Sequence, residues 1–142
     1  MNILLSLISG LFGVLIGSKL SQREELRKEQ LSILKTLVTY RLFPAQPERV
    51  TALNIIPIVF FNCPDICSCL ENYKKAQNDV TDNLTVPQSF MQKLSALDDA
   101  YIKLLEAIAR HLGYGESLSW DKLKNPYIAK SYIGQGSNLY WY

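Results

Sequence analysis

Three cysteines fall within one seven-residue stretch, Cys63, Cys67 and Cys69, with Asp65 among them and the chain's single histidine, His111, much further along. Thiolates and imidazole are the usual ligands of zinc. Structural zinc sites, however, take four of them, generally as paired C-x2-C or C-x2-H units, so a C-x3-C-x-C run with one histidine is irregular and one ligand short. Two cysteines two residues apart on a helix also face different sides of it. The cluster therefore reads as small hydrophobes inside a packed domain, with no metal and no cofactor. A cysteine nucleophile with His111 as its base needs the two side chains in contact, and nothing in the spacing brings them together. Asp98 and Asp99 are expected on a solvated helix face. The chain is not expected to be an enzyme.

Arg41 and Asn54 suggest binding instead. Asn54 sits in a run that is otherwise apolar, where a buried amide must find partners. Either it meets Arg41 or caps the turn at 44–47, or both residues line a polar pocket. A second set follows, in which cations alternate with rings: Arg110, His111, Tyr114, Trp120, Lys122, Lys124, Tyr127, Lys130 and Tyr132. Rings stack on nucleobases and cations take phosphates, so a small nucleotide is the ligand such a set suits, although an aromatic arm packed over helices uses the same residues. A net charge of +2 argues against a long nucleic acid as partner. The ligand-binding candidates are Arg41, Asn54, Arg110, Lys122, Lys130 and Tyr132.

The elements that must position these residues begin with a membrane candidate. From Ile3 to Ile16 every residue is apolar or small, and the first charge is Lys19. Residues 1–20 are thus expected to form a transmembrane helix, of which 18 residues rise about 27 Å against a hydrocarbon core of about 30 Å. Ser9, Gly13, Gly17 and Ser21 recur at every fourth position. They make one line of small residues where a second span can approach, so Ser9, Gly13 and Gly17 are the candidates for oligomerisation in the membrane. Between Lys19 and Arg49 seven basic residues face four acidic ones. That excess follows the span, which places the C-terminal domain in the cytoplasm and the protein in the inner (cytoplasmic) membrane as a single-pass chain. Cysteines there are expected to remain thiols.

Residues 21–43 read as a juxtamembrane helix that continues the span without a breaker, with Leu26, Ile33, Leu37 and Tyr40 as its apolar seam. The cytoplasmic helical domain, 44–142, is expected to hold a core helix from Glu48 to Asn62, entered at Pro47 and kinked at Pro57. A third helix is expected from Pro64 to about Gln77, with a loop over Asn78–Pro87. A fourth is marked by Phe90, Leu94, Leu97, Tyr101, Leu104 and Ile108 and stops before Gly113. Ser119 is placed to cap a short turn, and the aromatic tail Tyr127–Tyr142 completes the chain. The fold class is all-α, with one N-terminal transmembrane helix followed by a small helical domain.

Leu37-x3-Arg41, then Val50-x-Ala52-Leu53-Asn54-x-Ile56-x3-Phe60, then Leu104-Leu105-x2-Ile108-Ala109-x2-Leu112-Gly113-Tyr114, resemble the pattern of an uncharacterised bacterial family of small single-span proteins with a helical cytoplasmic domain. In size, order of parts and a self-associating span, the chain is also similar to the membrane-bound effectors of type III CRISPR antiviral defence. That resemblance implies a homo-oligomer, specifically a tetramer, that binds cyclic tetra-adenylate and perturbs the membrane. Four subunits around an axis would match the approximate fourfold symmetry of such a ligand. The alternative is a membrane-tethered adaptor that binds a protein partner.

Overall fold

The structure is a computed structural model that describes residues 2–82, 84 and 87–125, and its described residues contain helices and no strands. α1 runs unbroken from Asn2 to Thr39, about 57 Å at 1.5 Å per residue. No proline or paired glycine interrupts it, so the apolar run and the polar segment after it form one rod. Its first part is exposed throughout. At the other end Gln30, Ile33, Leu34 and Leu37 are buried, at the three- and four-residue spacing that puts them on one helix face.

Pro44 and Pro47 end that rod, and the chain turns at 40–46 on short backbone bonds, Phe43 N to Tyr40 O and Gln46 N to Phe43 O. The rod therefore stops at Thr39, four residues before the expected Phe43. α2 (Pro47–Val59) starts with proline in its first turn, where a missing N–H costs nothing. Arg49, Ala52, Ile56 and Val59 form its buried face. The helix runs through Pro57 and ends two residues later.

α2 was expected to be a core helix, apolar on nearly all sides. It is instead two-faced: Val50, Ile58 and Phe61 are 45%, 73% and 67% exposed. Asn54 lies on that same outer side and is exposed, so its amide faces solvent and needs no internal partner.

α3 (Pro64–Asp82) buries Ile66, Leu70 and Tyr73. It continues five residues beyond Gln77, through a stretch expected to be loop. The polar residues there have good helix contact with α4: Lys93 Nζ lies 3.9 Å from Asp79 Oδ2. α4 (Pro87–His111) carries the expected stripe, but Ile102, Leu105 and Ala109 are buried as well. It packs on both α3 and α1, so its apolar face is broader than one partner requires. Gly113, at φ 85°, ends it: Tyr114 N bonds to Ala109 O and Gly113 N to Arg110 O, the two reverse bonds of a Schellman cap. α5 (Trp120–Lys124) follows Ser119 and packs on α4.

The cross-links set the directions. Gln30 Nε2 donates to Val59 O, Arg49 to the carbonyls of Tyr40 and Arg41, and Arg27 Nη2 to Leu112 O. α1, α2, α3 and α4 accordingly run up, down, up and down in a four-helix bundle. One end of the bundle faces the apolar part of α1 and is called proximal below. The other, around Tyr40 and Arg49, is called distal.

Candidate functional site

At the distal end, α2 carries a cation in a core position. Arg49 is one turn before Ala52 and seven residues before Ile56, so the helix aims it inward, and it is only 5% exposed. Its Nη1 donates to Arg41 O at 2.7 Å and to Tyr40 O at 3.4 Å, two carbonyls just past the end of α1. Its Nη2 donates to the Tyr73 hydroxyl at 3.2 Å, and the guanidinium carbon lies 3.9 Å over the Tyr101 ring. That ring is tilted against Tyr73 at 5.4 Å, and its hydroxyl donates to Leu37 O at 2.7 Å. Burial pushes the Tyr101 hydroxyl far above its ordinary range, against the opposing pull of the Arg49 charge. It therefore remains a proton donor at any physiological pH.

Arg41 joins this cluster from the loop after α1. Its side chain is 7% exposed and its Nη2 reaches Asp98, itself 47% exposed, at 3.4 Å. Arg41 Nε and Nη1 and Arg49 Nε are buried with no hydrogen-bond partner. Among the described residues Asp98 is the one carboxylate that pairs with either guanidinium. Two buried positive charges thus meet one half-exposed negative charge, with three N–H donors left over. Such a set is costly without an anion and well suited to a phosphate or carboxylate. Asp98 and Asp99 are not simply solvated as expected: the first takes Arg41 and the second takes Lys124 Nζ at 3.0 Å.

The proximal end is built differently. Arg23 and Arg27 of α1, Asn62 and Cys63 of the α2–α3 turn, and His111 at the end of α4 line an open cleft of about 210 Å³. The fold does bring Cys63 and His111 together, which the spacing alone did not predict. Cys63 Sγ is 3.6 Å from both ring nitrogens, and Phe60 meets the imidazole edge-on at 5.8 Å. Burial raises the Cys63 pKa, and Cys67 and Asp65 raise it further. The pair therefore holds a thiol and lacks the thiolate a nucleophile requires. Cys69 is raised as well, by burial and then by Asp65. Among the described residues no group of three His, Cys, Asp or Glu side chains is placed to hold a metal.

Of the six ligand-binding candidates, the four among the described residues do not converge. Arg41 lies in the distal cluster and Asn54 on the outside of α2. Arg110 pairs with Glu106 at 3.6 Å, about 18 Å along α4 from Asp98. Lys122 Nζ reaches Glu116 O at 3.5 Å on the surface. Lys130, Tyr132 and the arm from Tyr127 lie outside the described residues. Arg49, Tyr73 and Tyr101 were not among the candidates, yet the signal was present: an arginine stands at the core register of α2. Ser9, Gly13 and Gly17 are exposed. Ser9 Oγ bonds back to Ser6 O at 2.9 Å, and a Cβ added at Gly13 or Gly17 meets nothing within 4 Å.

The chain belongs to the family of unknown function DUF6680, whose model matches residues 1–138. No curated protein matches it, and neither does any solved structure.

Proposed function

We propose that this member of DUF6680 is a membrane-anchored sensor-effector, whose span is the apolar part of α1 and whose helical domain, in the cytoplasm, answers to an anionic second messenger. The observation that carries this reading is the distal cluster, with two buried guanidiniums, one carboxylate and three unpaired donors. A cyclic oligoadenylate supplies what the cluster lacks: phosphates for Arg41 and Arg49, and bases for the neighbouring tyrosine rings. The donors are covered, so binding requires the turn at 40–46 to move. A ligand that binds only the moved state shifts the population toward it. That turn is the end of the α1 rod, so its displacement is carried along one unbroken helix to Gly13 and Gly17. Rearranged spans in a homo-oligomer, a tetramer for a fourfold ligand, would then perturb the membrane in antiviral defence.

Calorimetric titration of the detergent-solubilised full chain with cyclic tetra-adenylate tests the ligand. Heat that disappears in Arg49→Lys supports the reading. No heat and no thermal shift at high micromolar ligand sinks it.

A second reading, a tethered adaptor, has its own observation. An open groove of about 460 Å³ between α1 and α2 has Ile33, Ala52 and Ile55 as its floor and Glu29 and Glu48 at its rim. Acids on an apolar groove suit a basic amphipathic helix of a protein partner and repel a phosphate. Replacing Gly13 and Gly17 with Leu distinguishes the readings. Effects on cells that survive with localisation intact favour the adaptor.

A further inference from the structure

The proximal end of the bundle combines three features that no helix packing explains. Lys19, Arg23 and Arg27 follow one another at every fourth residue, so they form a single line of cations on α1, starting where the apolar run ends. Arg23 is exposed and makes no hydrogen bond among the described residues. Arg27 uses one nitrogen on Leu112 O at 2.8 Å. Phe61, which lines the cleft with them, is 67% exposed, although Phe60 beside it is completely buried. Finally, the cleft itself opens between these groups, with Asn62 and His111 as further polar walls.

Distance along the rod places this end in a membrane. Arg23 and Arg27 lie about 4.5 and 10 Å beyond Leu20, whereas the polar layer on each side of a bilayer is about 5–8 Å deep. Phe61 lines the same cleft as Arg23 and lies two residues past Val59, whose carbonyl Gln30 binds about 15 Å beyond Leu20, so it stands at the end of α2 that faces the membrane. An exposed phenylalanine there gains from meeting the headgroup layer, and a line of cations gains from anionic headgroups.

We propose that the proximal end is a lipid-docking surface: Phe61 meets the headgroup layer while Arg23, Arg27 and the cleft take the phosphate of an anionic phospholipid headgroup. The proposal rests on the reading that α1 spans the membrane. Docking holds the bundle upright on its rod, so the distal turn stays well clear of the bilayer and open to a soluble ligand.

The full chain, with Trp120→Phe and Trp141→Phe, is placed in phosphatidylcholine vesicles with or without phosphatidylglycerol, some of the lipid being brominated. Phe61→Trp is the probe and Val50→Trp, about 16 Å further up α2, is the reference. The expected result is a blue-shifted emission from the Phe61→Trp protein. Its bromine quenching should be severalfold that of the reference, rise with phosphatidylglycerol, and fall when Arg23→Gln is added. Equal quenching of the two probes in protein that resists carbonate extraction overturns the docking and leaves the span intact. Protein that carbonate extracts overturns both. Quenching at Phe61→Trp that ignores phosphatidylglycerol and Arg23→Gln overturns the phosphate contact.

Discussion

The two ends of the bundle handle positive charge in opposite ways. At the distal end Arg41 and Arg49 are buried among tyrosines, and three of their nitrogens have no partner. At the proximal end Arg23 is exposed and Arg27 borders an open cleft. A buried cation has lost its water and must be compensated by every neighbour, so the distal residues are part of what keeps the bundle folded. A solvated cation costs little and contributes little to stability, which leaves it available to meet something outside the chain. The distal arginines are therefore part of the fold as well as the proposed anion site, whereas the proximal ones meet partners at little cost to the fold.

The comparison breaks first at Arg49. Arg49→Ala should destabilise the domain by about 2–4 kcal/mol, because the Tyr73 hydroxyl and the Arg41 carbonyl lose their donor and a void opens under the Tyr101 ring. Urea unfolding of the full chain in detergent measures this. A change under about 0.5 kcal/mol would mean that the burial of Arg49 carries no structural weight.

Tyr101 gives the next largest effect. Its hydroxyl ionises near its ordinary value when unfolded and much higher when folded. Above pH about 10 the unfolded state therefore binds fewer protons, and stability falls with rising pH by roughly 1.4 kcal/mol per unit. Below that pH the group contributes its full share. Tyr101→Phe should flatten the alkaline decline and cost about 1 kcal/mol at neutral pH through the lost bond to Leu37 O. Unfolding curves at a series of pH values test both.

Arg27→Ala should cost about 1 kcal/mol, because it removes one part-buried hydrogen bond, that to the Leu112 carbonyl. The proximal end holds to type if stability moves no more than this while association with anionic vesicles weakens. The smallest effect concerns Cys63. With its pKa raised by burial and its acidic neighbours, its alkylation by iodoacetamide at pH 7 should be slower than that of a free thiol. Mass spectrometry of the native protein gives the rate.

Much of the architecture was legible because it depends on local order. The apolar run from Ile3 to Ile16, the prolines at 44, 47 and 64, and the glycine at 113 mark where helices start and stop whatever packs on them. The stripe on α4 was legible for the same reason. The extension of α3 to Asp82 was not, because polar residues without periodicity become helical when a neighbour such as α4 pairs with them. Asn54 misled for a related reason. An apolar run suggests burial, but α2 is covered on one side only, and its register leaves Asn54 on the other.

The candidate site was half legible. Arg41 was found by its place at the end of the rod, while Arg49, seven residues before the core residue Ile56, was not among the candidates. Contact between Cys63 and His111, 48 residues apart, is set by where α3 starts and α4 stops, and no spacing within either helix encodes it.

The sequence by itself determined an all-α chain with one long apolar helix joined without a break to a charged continuation, since helix length, breakers and caps are properties of neighbouring residues. Only the tertiary structure decided which cations are buried and which are free. Burial is a property of what packs against a residue: Tyr73 of α3 and Tyr101 of α4 meet Arg49, while Arg23 is left exposed on α1.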